Sequence, residues 1–487
     1  MDVSVVKKNN QTIVSILCAA ISIVLLCVWT IVYHINTLFS LLLVVWFFLL
    51  IHSIIHLHES ITELCFLLAF FVFLLGRQVC YIFFHVDEVY AFLDVTNDRT
   101  YLCMLVSLIA FAIGSAVREN KKKTRYFKKQ FKTPTIINSN SYALACKYMF
   151  LICYVFQIIV ILLQIRYVRS VGYLASYTNE DGGAGIPSLL YYPSSFASVS
   201  LCLYLATKPT KKKAMKLLLL YEIYAVLTVF TGQRYPFIGI NMFIMSYMFI
   251  RDRREKGWIK PSYYIIALLA VPALMILSTT FDAIRTGRTF TSNGFVQTII
   301  KFLDQQGGSI NTIRRTIYNA KELQDMKFVS LSSTRTAFLE NGISRALFNT
   351  KIYAGAGNTI EAAFKGHSLA NRLSYIAYGE EYLAGKGTGS SYIAELYHDF
   401  GIVGIICGSF LYGYWLKCVN LMQFKKRIIG GIGIAMLYYI YLAPRGGFDA
   451  FVGYLFRIYT IVFYAVVIIL AYFIRSIRSK KGISVKG

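Results

Sequence analysis

Three arginines in two separate parts of the sequence have the chemistry to bind an anionic diphosphate. Arg234 lies in Thr-Gly-Gln-Arg-Tyr-Pro-Phe, where two apolar segments meet with almost no connection between them. Arg285 and Arg288, in Phe-Asp-Ala-Ile-Arg-Thr-Gly-Arg, follow another apolar segment and should lie at the same membrane depth. Guanidinium groups are permanently charged and offer paired donors to phosphate oxygens. We therefore expect them to suit a lipid-linked diphosphate, with Arg445 adding to their field; the alternative for Arg234 is contact with ordinary lipid phosphates.

A second group of polar side chains shares one face of a predicted helix near residue 395. Ser391, Glu395 and His398 fall at positions i, i+4 and i+7, with Tyr392 on an adjoining face. A carboxylate or an imidazole there could accept a proton from a sugar hydroxyl as a general base. The spacing fits a polar helix cap with Ser391 near the N-cap equally well. Aromatic side chains between residues 167 and 195 could stack on sugar rings, such as Tyr173, Tyr177, Tyr191 and Tyr192.

Two weaker motifs predict neither a nucleotide site nor a metal site. The glycines around Lys386 superficially resemble a phosphate-binding loop, but the spacing is one residue too long and Gly follows where Ser or Thr is needed. His52 and His56 have the i, i+4 spacing of metal ligands, yet no Cys or third His converges on them. We therefore expect no cofactor.

The elements that must position these residues are predicted to be membrane-spanning α-helices. Of the 487 residues, 56% are hydrophobic and only 15% are charged, which indicates a polytopic membrane protein. The apolar runs are continuous, which excludes the alternating strands of a transmembrane β-barrel. Hydropathy predicts about twelve spans, near residues 12–33, 37–57, 61–84, 100–117, 142–166, 188–207, 217–232, 235–250, 261–280, 399–417, 428–443 and 451–474.

The distribution of basic residues predicts the orientation of the chain. Most of the 50 Lys and Arg residues lie in alternate connections between spans and in the two termini, so the positive-inside rule places both termini in the cytoplasm. The net charge of +26 is thus explained by topology, and a nucleic-acid partner is not needed. The ten cysteines lie in or beside apolar runs without CxxC spacing and are interpreted as packing residues.

A long hydrophilic segment divides the chain into three parts. Residues 1–280 are predicted to form spans one to nine, 281–391 a large loop on the outer face, and 392–487 the last three spans and a basic tail. Loops of this length usually carry function. Apolar residues recur at helical spacing on both sides of Gly307 and Gly308, so short amphipathic helices with a break at these glycines should lie over the outer mouth of the bundle.

Together these features resemble bacterial O-antigen and capsule polysaccharide polymerases of the Wzy type. The resemblance rests on twelve spans, a large outer loop before the last three, Gly-Gln-Arg at 232–234, residues 281–288, and Gly-Thr-Gly-Ser-Ser-Tyr-Ile-Ala-Glu-Leu-Tyr-His-Asp-Phe-Gly-Ile-Val-Gly at 387–404. It implies a metal-independent, membrane-embedded glycosyltransferase of the C type in the bacterial cytoplasmic membrane. Such an enzyme joins undecaprenyl-diphosphate-linked repeat units, and a chain-length regulator of the Wzz type is an expected partner.

Carried onto this sequence, the resemblance implies that Arg234 and Arg285, with Arg288 as second choice, hold the donor diphosphate. Glu395 or His398 would activate the acceptor hydroxyl. A flippase or transporter of lipid-linked sugars is the leading alternative, since it also needs cationic residues and about twelve spans, but it should not need a 110-residue outer loop. An O-antigen ligase, which transfers finished glycan to another acceptor, is the alternative within enzymes.

Overall fold

The computed structural model describes residues 21–22, 24–25, 28–31, 35–87, 92–125, 139–178, 185–260, 294–340, 346–347, 357–422 and 427–480. Arg285, Arg288, the ninth predicted span and most of the first lie outside these residues. Within them, all regular secondary structure is helical. The α-helices are α1 Thr37–Ile55, α2 Leu57–Phe70, α3 Gly76–Phe84, α4 Asp94–Arg125, α5 Ser139–Val171, α6 Ser188–Ser195, α7 Ala197–Leu205, α8 Lys211–Val229, α9 Tyr235–Asp252, α10 Gly294–Gln306, α11 Ser309–Tyr318, α12 Ser332–Phe338, α13 Ile360–Phe364, α14 Leu369–Tyr378, α15 Glu380–Leu383, α16 Tyr392–Asn420, α17 Arg427–Leu442, α18 Ala450–Leu455 and α19 Ile458–Lys480.

Seven helical segments among the described residues are long and apolar enough to cross a membrane, so the protein is a multi-pass membrane protein. They are Thr37–Ile55, Leu57–Phe84, Asp94–Asn120, Asn140–Val171, Tyr392–Asn420, Arg427–Arg445 and Ile458–Ser479. The predicted spans near 188–207, 217–232 and 235–250 form helices that are shorter or less apolar than these. Pro193 lies in the first of them, and α6 and α7 are separate helices on either side of Phe196. A total of twelve spans stays a prediction.

The centre of the bundle is built on close contact between α4 and α16. A Cβ placed on Gly413 would lie 1.9 Å from the carbonyl oxygen of Phe111, and one on Gly114 would lie 2.1 Å from that of Phe410. The two backbones can touch only because both positions are glycine, as is usual where membrane helices cross closely.

Two irregularities in the helices determine where the site residues point. Phe71–Leu75, between α2 and α3, forms a π-helical turn, which shifts the register of the residues that follow. In α16, Gly401 has φ 61° and ψ −147°, which breaks the helix. This conformation is open to glycine and strained for other residues. The residues before Gly401 therefore form a separate short helix, which joins the loop to the span.

A buried ion network ties three helices of the bundle together. The Nζ of Lys417 lies 2.9 Å from Glu63 and 3.1 Å from Glu119, and it donates to the Glu59 carbonyl oxygen at 2.9 Å. Lys417 and Glu63 are almost fully buried. Ser115 donates a further hydrogen bond to Glu63 at 2.9 Å. A buried charge with this many partners is a structural tie between α2, α4 and α16.

The described part of segment 281–391 contains six short helices, α10 to α15. Helices α10 and α11 are separated by Gly307 and Gly308, which confirms the predicted break. Helix α10 packs against α3, and α11 packs against α4. The segment is therefore anchored on two of the membrane helices.

Candidate functional site

Two arginines that the sequence singled out meet at the end of α10. An Nη atom of Arg234 donates to the side-chain oxygen of Gln305 at 2.8 Å. Arg445 donates in the same way to the neighbouring residue, Gln306, at 3.1 Å. The carbonyl end of a helix also attracts cations through its dipole. The structure thus brings Arg234 and Arg445 together, although 211 positions separate them in the chain.

A third arginine, which the sequence analysis did not identify, joins them. The Nε of Arg77 donates to both the carbonyl oxygen and the Oδ1 of Asp304, each at 2.9 Å. Arg77 lies two residues after the π-helical turn, whose Phe73 ring centre lies 5.8 Å from the Arg445 guanidinium carbon. The three consecutive residues 304, 305 and 306 therefore hold three arginines from different helical segments. We call Arg77, Arg234 and Arg445 the arginine cluster.

Arg445 also lines a large cavity. The cavity has a volume of about 1050 Å³, at the upper end of the roughly 300–1000 Å³ that is usual for ligand pockets. Among the described residues that line it, Arg445 is the one charged side chain. Ser, Thr, Asn and Gln side chains contribute elsewhere to the wall. Ten tyrosines complete it: Tyr167, Tyr177, Tyr191, Tyr192, Tyr221, Tyr224, Tyr235, Tyr438, Tyr439 and Tyr454.

Tyr177 connects the wall of this cavity to the arginine cluster. Its hydroxyl accepts a hydrogen bond from the Gln233 side chain at 2.9 Å and donates to the Tyr173 hydroxyl at 3.3 Å. Its carbonyl oxygen accepts from the backbone N–H of Asn358 at 3.0 Å. Burial, with the adjacent Tyr173, raises the pKa of Tyr177, so the hydroxyl stays protonated. Tyr177 thus ties segment 281–391 to Gln233, the residue before Arg234.

Glu395 lies behind the cavity wall and holds the turn that follows Arg445. Its two carboxylate oxygens accept hydrogen bonds from the Ser390 hydroxyl at 2.7 Å and from the Phe448 backbone N–H at 2.8 Å. The residue is 3% exposed and is not among the residues that line the cavity. One oxygen therefore fixes the backbone near Arg445, and the other is held by the Ser390 side chain.

Asp449 fixes the same turn through contacts with segment 281–391. Its carboxylate accepts hydrogen bonds from the backbone N–H groups of Ser333 and Thr334, at 3.2 and 2.6 Å. Burial raises the pKa of Asp449, although these amides act in the opposite direction. The turn at 446–449 is thus held between α16 and the start of α12.

Comparison with known proteins identifies the family to which the chain belongs. The model of the family O-antigen polysaccharide polymerase Wzy matches residues 13–476, which is nearly the whole chain. The chain belongs to this family. No curated protein and no solved structure matches it. A Wzy polymerase acts on lipid-linked oligosaccharide repeat units in a membrane during polysaccharide biosynthesis. The site of such a protein accommodates a lipid-linked oligosaccharide.

The other predicted site residues of this Wzy family member lie apart from the cavity. Tyr392 is fully buried, and its hydroxyl lies 2.6 Å from that of Ser107, which in turn contacts Ser409 at 2.9 Å. Ser391 occupies the N-cap position of α16, but its hydroxyl has no hydrogen-bond partner among the described residues. Both residues are placed to pack the start of α16.

His398 lines a second, smaller cavity of about 300 Å³. A nitrogen of its ring, Nε2, lies 3.2 Å from the carbonyl oxygen of Met326. None of the described residues that line this cavity also lines the large one. The structure therefore brings Arg234 and Arg445 together, places Glu395 behind them, and separates His398 from them.

Proposed function

We propose that the protein joins undecaprenyl-diphosphate-linked oligosaccharide repeat units at the outer face of the bacterial cytoplasmic membrane. In this proposal the large cavity holds the glycan and the arginine cluster holds the diphosphate. The observation that carries the proposal is the position of Arg445, which belongs to the cluster and also lines the tyrosine-rich cavity. The sugar and the phosphate of one donor could therefore be bound side by side.

The chemistry of the cavity suits a glycan. Tyrosine offers a flat apolar ring for the face of a sugar and a hydroxyl for its oxygens. Ten such side chains, with amides from Gln157, Gln233 and Asn358, provide both kinds of contact along one wall. Tyr177, Tyr191 and Tyr192 are among the aromatics that the sequence suggested for this role.

The proposed reaction depends on stabilising the charge that develops on the leaving diphosphate, and it does not need a cofactor. The bond between the donor sugar and its diphosphate breaks, and a glycosidic bond forms to a hydroxyl of the acceptor unit. Undecaprenyl diphosphate leaves with the electron pair, and the hydroxyl proton passes to a base. Fixed guanidinium groups beside the leaving diphosphate lower the barrier because they stabilise the charge that develops there. This supports a metal-independent mechanism.

The geometry supports a positioning role for Glu395. Both of its oxygens are engaged by Ser390 and Phe448, and the second of these contacts fixes the turn after Arg445. His398 lines the smaller cavity, so its role as a base stays a separate hypothesis. Arg285 and Arg288 stay proposed as further ligands of the diphosphate, and a chain-length regulator stays a proposed partner.

The proposal is tested by replacing Arg445 in a strain that lacks the chromosomal gene. Lipid-linked glycans are separated on a gel, and rates are measured with purified protein and lipid-linked units. Arg445→Ala should lower the polymerisation rate by about 100-fold or more, the usual loss on removing one donor to a developing charge. Single repeat units should accumulate on the lipid.

Two further variants help to interpret the result for Arg445→Ala. Arg445→Lys keeps the charge without the paired donors, so its rate should be intermediate. Arg475→Ala removes an exposed arginine near the C-terminal end of α19, about 25 Å along that helix from its first residue, and should leave the rate unchanged. Full-length polymer at the normal rate from Arg445→Ala would remove the arginine cluster from the site.

A further inference from the structure

The backbone of the outer loop turns one phenylalanine outward. Phe328 has φ 55° and ψ 42°, in the left-handed region, and its exposed fraction is 60%. Bulky residues rarely adopt this conformation because their Cβ crowds the following carbonyl oxygen. An exposed aromatic ring held in such a conformation indicates that the ring has a partner outside the chain.

The segment that carries Phe328 is fixed to the outer start of the candidate span formed by α16. Asp399 accepts hydrogen bonds from the backbone N–H groups of Val329 and Ser330, at 3.1 and 2.8 Å, and from the Ser330 hydroxyl at 2.6 Å. The Phe328 ring lies 6.4 Å from that of Phe400. The exposed ring is therefore held beside the membrane helix by rigid contacts.

The exposed surface of the span continues the apolar surface of the loop. Phe400, Ile402 and Val403 are 49%, 40% and 67% exposed at the start of the apolar part of α16. Large apolar side chains exposed on a membrane span face lipid. On the loop, Leu331 and Leu339 are 41% and 60% exposed. Together with Phe328 they extend the lipid-facing surface beyond the end of the span.

We propose that residues 327–339 rest in the interfacial layer of the bilayer, with phospholipid as the partner. Phe328, Leu331 and Leu339 would enter the boundary between headgroups and acyl chains, as the apolar face of an interfacial helix does. Lys327 is exposed at the edge of this surface, where its ammonium group can reach lipid phosphates. This inference is independent of the polymerase reaction.

Anchoring this segment would also fix the depth of the smaller cavity. Met326 and Phe328 line that cavity with His398. Because the same residues lead directly into the proposed anchor, the cavity would open at the level of the lipid headgroups.

The experiment places a tryptophan at each position of interest in the full-length protein, reconstituted in vesicles of phosphatidylcholine and phosphatidylglycerol. The added emission is obtained by subtracting the spectrum of the parent protein, and a brominated phosphatidylcholine serves as quencher. Phe328→Trp should be quenched at least about threefold more strongly than Phe364→Trp. Phe364 is the matched control, since it is 49% exposed in the same loop and its ring contacts Tyr375 and Arg372 of that loop.

Leu331→Trp is a second probe of the same surface, and it should behave as Phe328→Trp does. Equal quenching of the Phe328 and Phe364 probes would overturn the proposal, as would emission at 328 that is shielded from water yet insensitive to brominated lipid. The latter result would assign this surface to a protein partner. Because the Leu331 probe leaves the strained position unchanged, a folding defect of Phe328→Trp would not prevent a decision.

Discussion

Replacing Gly307 by alanine should disrupt the arginine cluster without substituting any arginine. Gly307 follows the last residue of α10 and lies against the backbone of Arg77. A Cβ at this position would lie 2.4 Å from the backbone nitrogen of Arg77 and 2.7 Å from its Cβ. Neither atom is the end of a flexible side chain, so the clash is relieved only if one backbone moves.

The required movement can be read from these distances. Ordinary van der Waals contact begins at 3.4 Å, so the end of α10 must move about 1 Å away from Arg77. The residues that hold the cluster, 304 to 306, directly precede Gly307 and would move with it. Overpacking of this kind costs about 1–3 kcal/mol of stability. A displacement of about 1 Å in a catalytic arrangement can lower the rate by about 100-fold.

The assay compares Gly307→Ala with Gly308→Ala in purified protein supplied with lipid-linked repeat units. A Cβ on Gly308 would meet the Arg77 guanidinium at 3.6 Å, which is ordinary contact with a flexible group. The second variant is therefore a matched control, and its rate should stay within about twofold of the parent. Thermal unfolding in detergent, followed in parallel, shows whether each variant is folded.

A folded Gly307→Ala protein with the parental rate would refute the reasoning. It would mean either that α10 adjusts without moving residues 304 to 306 or that the arginine cluster does not contribute to the reaction. Equal losses in the two variants would also count against it, because only one of them introduces a backbone clash.

Three other changes give distinct expectations. In Gln306→Glu, the new carboxylate should form an ion pair with Arg445 and neutralise its charge, so the KM for the lipid-linked donor should rise. Steady-state kinetics would measure the KM, and a lower value would contradict this expectation. If Glu395 only positions a turn, Glu395→Gln should keep more than about a tenth of the activity, because the hydrogen bond that changes contributes about 1 kcal/mol. If Glu395 is the general base, the same substitution should lower the rate by about 100-fold or more. Burial, and then the Arg335 guanidinium, lower the pKa of His367 below its usual 6.5. Protonation thus favours the unfolded protein, so the melting temperature should be highest above pH 6.5 and fall as the pH drops below it. His367→Gln should remove that part of the fall.

The sequence identified Arg234 and Arg445 because charged residues at the ends of apolar segments are conspicuous. Arg77 gave a weaker signal, although an ionisable residue inside a predicted span is itself a functional indication. What the sequence could not show was its partner. Asp304 lies more than two hundred positions away, and the π-helical turn at Phe71–Leu75 alters the direction in which the Arg77 side chain leaves the helix.

The face predicted for Ser391, Glu395 and His398 shows a different limit. Helical spacing states which side chains lie on one side of a helix, but it does not state what lies opposite. Glu395 meets the turn before Asp449, whereas His398 meets the carbonyl group of Met326 in segment 281–391. Glu395 and His398 are only three positions apart on the same helix, yet they lie in different environments. Tertiary contacts, which periodicity does not contain, decide their roles.

The kind of side chain that holds each arginine bears on the proposed chemistry. Gln306 is a neutral amide, so its hydrogen bond fixes the direction of the Arg445 guanidinium without cancelling its charge, whereas Arg77 is paired with the Asp304 carboxylate at 2.9 Å. A carboxylate in the same place would orient the group equally well, but it would compete with an incoming phosphate. Orientation by a neutral partner therefore keeps the charge of Arg445 available to an anionic leaving group, and pre-ordered charge lowers a barrier only while it is available. The opposite choice at Lys417, where two glutamates surround one cation, is suited to holding helices together.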